Sequence, residues 1–267
     1  MLRNILIVIS FGFSFIQVVH ASPPFGGTIF LAPDIITEAD ATTYQRIEDA
    51  GRGQRTMFDR RVDWVNLNAF LFNASFSDGP DVEIQVNPEF GGADTARAEA
   101  LKYAPVIGRL PRCVREEVET VWIHKGTEPF GGGNRNILIH TGQAARYDSD
   151  GILEETLVHE AAHTALDAAH ASASGWLAAQ TADDELISTY ARDFSDREDV
   201  AESFLLYLAV KFRRDRISES LTASILETIP NRIEYFGSLS FDMYPIVNTL
   251  TAVWPSTLGF IKSLHRR

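Results

Sequence analysis

The chain is nearly without cysteine: Cys113 is the only one in 267 residues. No internal disulfide can form, and a four-cysteine zinc site is excluded. Basic charge is also short, with 24 Lys and Arg against 36 Asp and Glu and a formal net charge of −12. Such a chain offers no basic field to hold nucleic acid or an anionic lipid surface. The acid excess serves solubility first, and its functional reading would be a preference for basic substrates. Beyond Val19 no apolar run approaches the length of a bilayer, so no stable membrane insertion is expected. A composition of 45% hydrophobic and 22% charged residues excludes disordered and fibrous classes. The core must therefore stabilise the chain unaided, or with a metal.

The first residues bear on compartment. Met1-Leu2-Arg3-Asn4 is a short basic start, Ile5 to Val19 is mostly apolar, and Val19-His20-Ala21 resembles a small-residue cleavage site. This is the layout of a secretory signal peptide removed after Ala21, which makes the protein secreted. An uncleaved anchor is the alternative, for which the run is short. No Cys lies near the cleavage point, so a lipoprotein anchor is excluded.

Residues 22–267 read as one α+β domain, with a metal-site core at about 118–245. Glu38 to Val65 reads as helical, interrupted near Gly51-Arg52-Gly53. Asn68 to Phe72 and Val82 to Val86 read as strands about the turn Ser77-Asp78-Gly79-Pro80. Ala93 to Leu110 has helical spacing and stops at Pro111. Val118 to His124 and Asn136 to Thr141 read as strands flanking the loop Gly126 to Arg135. From Asp150 onward the pattern is helical. Phe-Gly-Gly recurs at Phe25, Phe90 and Phe130, too irregularly for a structural repeat.

The chemistry is carried by His159-Glu160-Ala161-Ala162-His163, an H-E-x-x-H motif. Two His four residues apart on a helix share one face, so both rings can reach one cation, and neutral imidazole is a good zinc ligand. Glu160 lies about 100° around the helix from His159, off the ligand row yet able to take a proton from a water on the metal. Ser149 or Asp150 can cap the helix, whose apolar residues cover nearly every face and bury it. Without a metal, two buried imidazoles left unpaired would cost about 1–3 kcal/mol each.

Three residues compete for the third ligand. A metzincin-like site would use His170, but the helix-breaking Gly is absent and His170 is one residue late. Asp167, one turn beyond His163, could bond the far nitrogen of that ring or merely sit in the last turn. Glu198 and Glu202 share a face of a further helix, Val200 to Phe212. Glu198 could coordinate while Glu202 accepts from a ligand His. Alternatively, Glu198 completes a capping box with Ser195, and Glu202 lies on a solvated face.

H-E-x-x-H followed by Ser188, Tyr190, Arg192 and then Glu198, Ala201, Glu202 and Phe204 resembles the catalytic domain of anthrax lethal factor and its relatives, within the Glu-zincins. The resemblance covers roughly residues 150–210. It implies a zincin-like metallopeptidase with Zn2+ on His159, His163 and Glu198, Glu160 as general base and Tyr190 as oxyanion donor. The expected partner is a protein or peptide substrate. In such sites an edge strand pairs with the extended substrate, and Asn136 to Thr141 is the candidate, with Gly131 to Gly133 as its rim, although the alternating Ile137 and Ile139 equally suit an inner strand. A non-enzymatic alternative keeps the zinc as a structural staple in a secreted binding or effector protein.

Overall fold

A computed structural model describes residues 22–28 and 33–247. The expected signal peptide lies outside the described residues. No helix among the described residues is long and apolar enough to cross a membrane.

The first departure from expectation comes at Glu38 to Val65, which is not helical. Strand β1 (Tyr44–Asp59) and strand β2 (Asp63–Phe76) form a long antiparallel hairpin. Most of β1 is exposed, so no apolar alternation marks it as a strand in sequence. The reversal at its tip also lacks the usual Gly or Asn. Asp59 accepts the Arg61 backbone N–H at 3.0 Å, and Asp63 takes the left-handed conformation at φ 83°.

Strand β3 (Val82–Val86) follows the expected turn, and helix α1 (Ala93–Ile107) then crosses over to strand β4 (Thr120–His124), with the short α2 (Arg112–Arg115) on the way. The expected loop Gly126 to Arg135 contains a short strand, β5 (Gly131–Gly133). It pairs with β6 (Asn136–His140) through a tight turn whose Asn134 and Arg135 have φ 52° and 60°. Positive φ at both central residues suits the right-handed twist of a hairpin.

The sheet has six strands in the order β1-β2-β3-β4-β6-β5, with mixed pairing. Strands β1, β3, β4 and β6 run the same way, so Asp59, His124 and His140 end three of them on one side, with Asn87 just past β3. The edge beside the helical half is β5. Asn136 to Thr141 is therefore an inner strand and not the edge, since the three glycines cover its far side.

The helical half consists of α3 (Thr141–Ser149), α4 (Leu153–His170), α5 (Ser174–Ala182), α6 (Thr189–Asp193), α7 (Asp199–Phe212), α8 (Glu219–Thr228) and α9 (Pro230–Gly237). The described residues thus form an α+β fold with nine α-helices and one open mixed sheet. Alternation sorts the strands: Val121 and Ile123 face the main core, while Trp122 faces a smaller cluster with Met57, Ala69 and Leu71. The main core joins the strands to α1, α4, α7 and α9 without a break, so both halves share it.

Candidate metal centre

Helix α4 is held beneath β5 and β6 and against α7. Its buried residues include Leu153, Leu157, Val158, Ala161, Ala162 and Leu166. Neither Ser149 nor Asp150 caps it. Asp150 ends α3, Gly151 turns the chain at φ 69°, and Ile152 precedes α4 with no side-chain cap. Burial rather than capping holds this helix.

The H-E-x-x-H spacing brings the rings of His159 and His163 together, with their Nε2 atoms 3.1 Å apart. Glu198, at the start of α7, points its Oε2 at both, 3.5 Å from His159 Nε2 and 3.2 Å from His163 Nε2. The capping-box alternative for Glu198 fails, because its carboxylate faces the two imidazoles and makes no cap. These three side chains could hold a metal ion. Ligands bonded tetrahedrally to zinc at about 2.0–2.1 Å stand about 3.3–3.4 Å apart, and the observed separations of 3.1, 3.2 and 3.5 Å lie on either side of that.

Asp167 resolves in favour of its pairing role. Its Oδ2 lies 2.8 Å from His163 Nδ1, and a carboxylate only accepts, so Nδ1 carries the proton. The Nε2 of His163 faces His159 Nε2 and Glu198 Oε2; in the metal-free chain a proton on Nε2 joins the ring to Glu198, and a metal ion would take that proton's place. Burial opposes charge on His163, yet hydrogen bonds to Asp167 and Glu198 prevail and raise its pKa to about 10. Glu198 is buried too, but its bonds to His159 and His163 hold its carboxyl well below the usual range.

Glu160 lines the same cleft. Burial raises its pKa, with His159, His163 and Arg60 opposing the rise. The Tyr190 hydroxyl, carried by α6, donates to Glu198 Oε1 at 3.1 Å. Burial and the charge of Glu198 raise the Tyr190 pKa. The solvated-face alternative for Glu202 is wrong, for Glu202 is fully buried. It accepts from the hydroxyl of Ser188, which in turn caps α6 by accepting from the Ala191 N–H. His170 stands elsewhere, with Nδ1 2.7 Å from the Tyr235 hydroxyl and its ring against Phe241.

The cleft has a volume of about 620 Å³. Of the walls beyond the expected site residues, only the glycine rim was singled out in sequence. Gly132 packs directly on the backbone of Glu160, and Gly133 donates its N–H to Thr164 Oγ1 at 2.8 Å. Arg60 arrives from the hairpin tip, Arg197 from the chain before α7, and Thr28 from the amino-terminal segment. Their separation from the motif left no local signal. The triple glycine, read in sequence as a rim, lets strand and helix approach closely.

A second cluster, Asp59, Glu89 and His124, also has metal-ligand chemistry. Here the chain supplies its own cation: Arg61 Nη2 sits 2.7 Å from Asp59 Oδ2 and 2.7 Å from Glu89 Oε1. Asn87 Oδ1 accepts from the Glu89 N–H, which turns Asn87 Nδ2 toward His124 Nδ1 at 2.9 Å and makes that nitrogen the acceptor. Burial lowers the His124 pKa to about 4, consistent with a neutral ring. The cluster is a structural node that pins the hairpin tip to the ends of β4 and β6.

Comparison with known proteins finds no matching family model, no similar curated protein and no similar solved structure.

Proposed function

We propose that this chain is a secreted, zinc-dependent metallopeptidase of zincin-like type. The observation that carries the reading is the triangle His159, His163 and Glu198, with edges of 3.1–3.5 Å, beside an open cleft lined by Glu160 and Tyr190. Structural zinc sites are normally closed by four protein ligands, whereas catalytic ones use three and leave a position open. Among the described residues this group offers three. The signal-like leader and the single Cys are consistent with export.

Zinc held there would supply Lewis acidity for the scissile carbonyl and for a water. Glu160 accepts a proton from the attacking water and delivers it to the leaving amine. Its raised pKa favours holding that proton between the two transfers. Tyr190 is released from Glu198 and donates to the developing oxyanion. Asp167 keeps His163 in one tautomer and orientation. An extended peptide pairs along the outer edge of β5, where the glycines present backbone alone.

The test is metal content and peptide cleavage in wild type and Glu160→Gln. The expected result is one zinc per chain in both proteins, with cleavage reduced by about 10²–10⁴-fold in the variant. Equal cleavage by both would end the mechanism. Zinc without cleavage of any peptide in a broad library would favour a zinc-stapled binding protein.

A further inference from the structure

The metal cleft sits in an acidic chain, yet two arginines line it, Arg60 and Arg197. Arg197 already has neighbours: its guanidinium lies 3.7 Å from Glu198 Oε1 and stacks over Phe194 at 5.1 Å. Arg60 differs. It is exposed at the tip of the β1–β2 hairpin, and among the described residues no carboxylate comes within ion-pair distance of it. One of its Nη atoms donates to the Phe130 carbonyl at 2.8 Å, which fixes the side chain at the start of β5. The remaining donors of the guanidinium fork are left for another partner.

The tip cannot drift away from the cleft. On one side of Arg60, Asp59 is buried against His124 and His140. On the other, Arg61 bridges Asp59 and Glu89. Behind the tip, Trp64 packs on Trp122 with ring centroids 5.7 Å apart. Arg60 is thus a preorganised cation on the wall of the cleft that Glu160 also lines.

The rim beside it has no side chains. A Cβ on Gly131 would lie 3.1 Å from Arg60 Nη2, and one on Gly132 would run into the Glu160 carbonyl. A peptide along β5 therefore meets bare backbone and one fixed guanidinium. That guanidinium is the charged group fixed beside β5, placed to distinguish one substrate side chain from another. Three carboxylates in the cleft, Glu160, Asp167 and Glu198, face two arginines, and a divalent ion would turn the sum positive.

We propose that Arg60 is the specificity residue of this cleft and selects peptides carrying an Asp or Glu side chain next to the scissile bond. This rests on the metallopeptidase reading. It reverses the preference for basic substrates that the net charge suggests, because the local field at the cleft outweighs a distributed surface charge.

The experiment is cleavage of a positional-scanning decapeptide library by wild type, Arg60→Gln, Arg60→Lys and Arg60→Glu. Wild type should enrich Asp and Glu about tenfold at one position. Arg60→Gln, which retains a donor for the Phe130 carbonyl, should erase the enrichment through KM rather than kcat. Arg60→Lys should keep most of it, and Arg60→Glu should replace it with Lys and Arg at the same position. Cleavage without acidic enrichment, or enrichment that survives Arg60→Gln, overturns the proposal and leaves the peptidase reading standing. A parallel arm captures the same library on zinc-loaded Glu160→Gln protein, with and without Arg60→Gln, and reads bound peptides instead of products. If wild type cleaves nothing, acidic enrichment in the captured pool that depends on Arg60 still supports the recognition. Its absence there refutes it.

Discussion

Gly132 lies so close to Glu160 that a side chain at position 132 would overlap the Glu160 carbonyl. Backbone has met backbone here, with no flexible group to give way. Gly132→Ala must push β5 off α4, at a cost of about 1–3 kcal/mol in stability, the usual range for overpacking. Because β5 is the proposed substrate edge, the variant should also lose peptide cleavage. Gly133→Ala meets no atom but is strained by φ 118°. Thermal melts with cleavage assays on both variants separate a steric from a conformational effect: Gly132→Ala should lose more activity for a given drop in melting temperature.

Asp167 and His170 lie within one turn of each other on α4 and should behave oppositely. Asp167→Asn keeps the shape but weakens the bond to His163 Nδ1, so zinc affinity should fall about 10–100-fold. His170→Ala removes a ring held by Tyr235, away from the metal group, and should leave affinity unchanged. Competition against a chromophoric chelator measures both. Equal losses would contradict the ligand set.

Glu155 gives the chain a distinctive pH response. Its carboxyl is fully buried on α4, accepts the Ile36 N–H at 3.0 Å, and is pushed by burial to a pKa of about 7. The folded state therefore keeps a proton that the unfolded chain has already lost above its ordinary carboxylate pKa. Stability contributed by this group is fully present at low pH, declines between roughly pH 4.5 and 7, and is flat above. The loss should amount to about 3 kcal/mol. Glu155→Gln should remove that slope, as seen by comparing urea midpoints of the two proteins from pH 4.5 to 8.

Arg232 is buried between Asp183 and Asp199, at 2.8 Å and 2.9 Å. Asp199 directly follows the candidate ligand Glu198. Arg232→Met leaves two buried carboxylates without their counter-charge and should destabilise the fold by about 3–5 kcal/mol. Restoring the charge with Arg232→Lys should recover part of it. Urea denaturation gives the stability, and a zinc titration of the folded fraction shows whether Glu198 has moved.

The sequence was most informative where one element carried the whole signal. His159, Glu160 and His163 lie on one helix, so the 3.6-residue period alone places them. Strand β3 alternates cleanly because one face enters the main core, while β4 and β6 are short apolar runs that read as strands by length and β-branched content. Glu198 had two physical readings until its position relative to the motif was weighed, since a capping box and a ligand pattern look alike in one dimension. The hairpin was misread because exposed strands carry no apolar period, and its tip turns on Asp59 rather than on Gly. Arg60 was invisible for a different reason. Its hydrogen bond to Phe130 spans 70 residues, and no local pattern encodes a meeting at that range.

That long-range meeting separates two tasks along the chain. The candidate metal ligands are embedded in α4 and at the start of α7, where nearly every neighbouring side chain is packed and substitution disturbs the core. The hairpin tip is a short exposed turn that touches the cleft from outside, and such turns accept sequence change readily. Selectivity could therefore diverge through positions 60 and 62, with Arg61 keeping the tip in place, while the chemistry stays fixed. A lineage of such proteins could acquire new targets by editing one turn, with the reaction centre inherited unaltered.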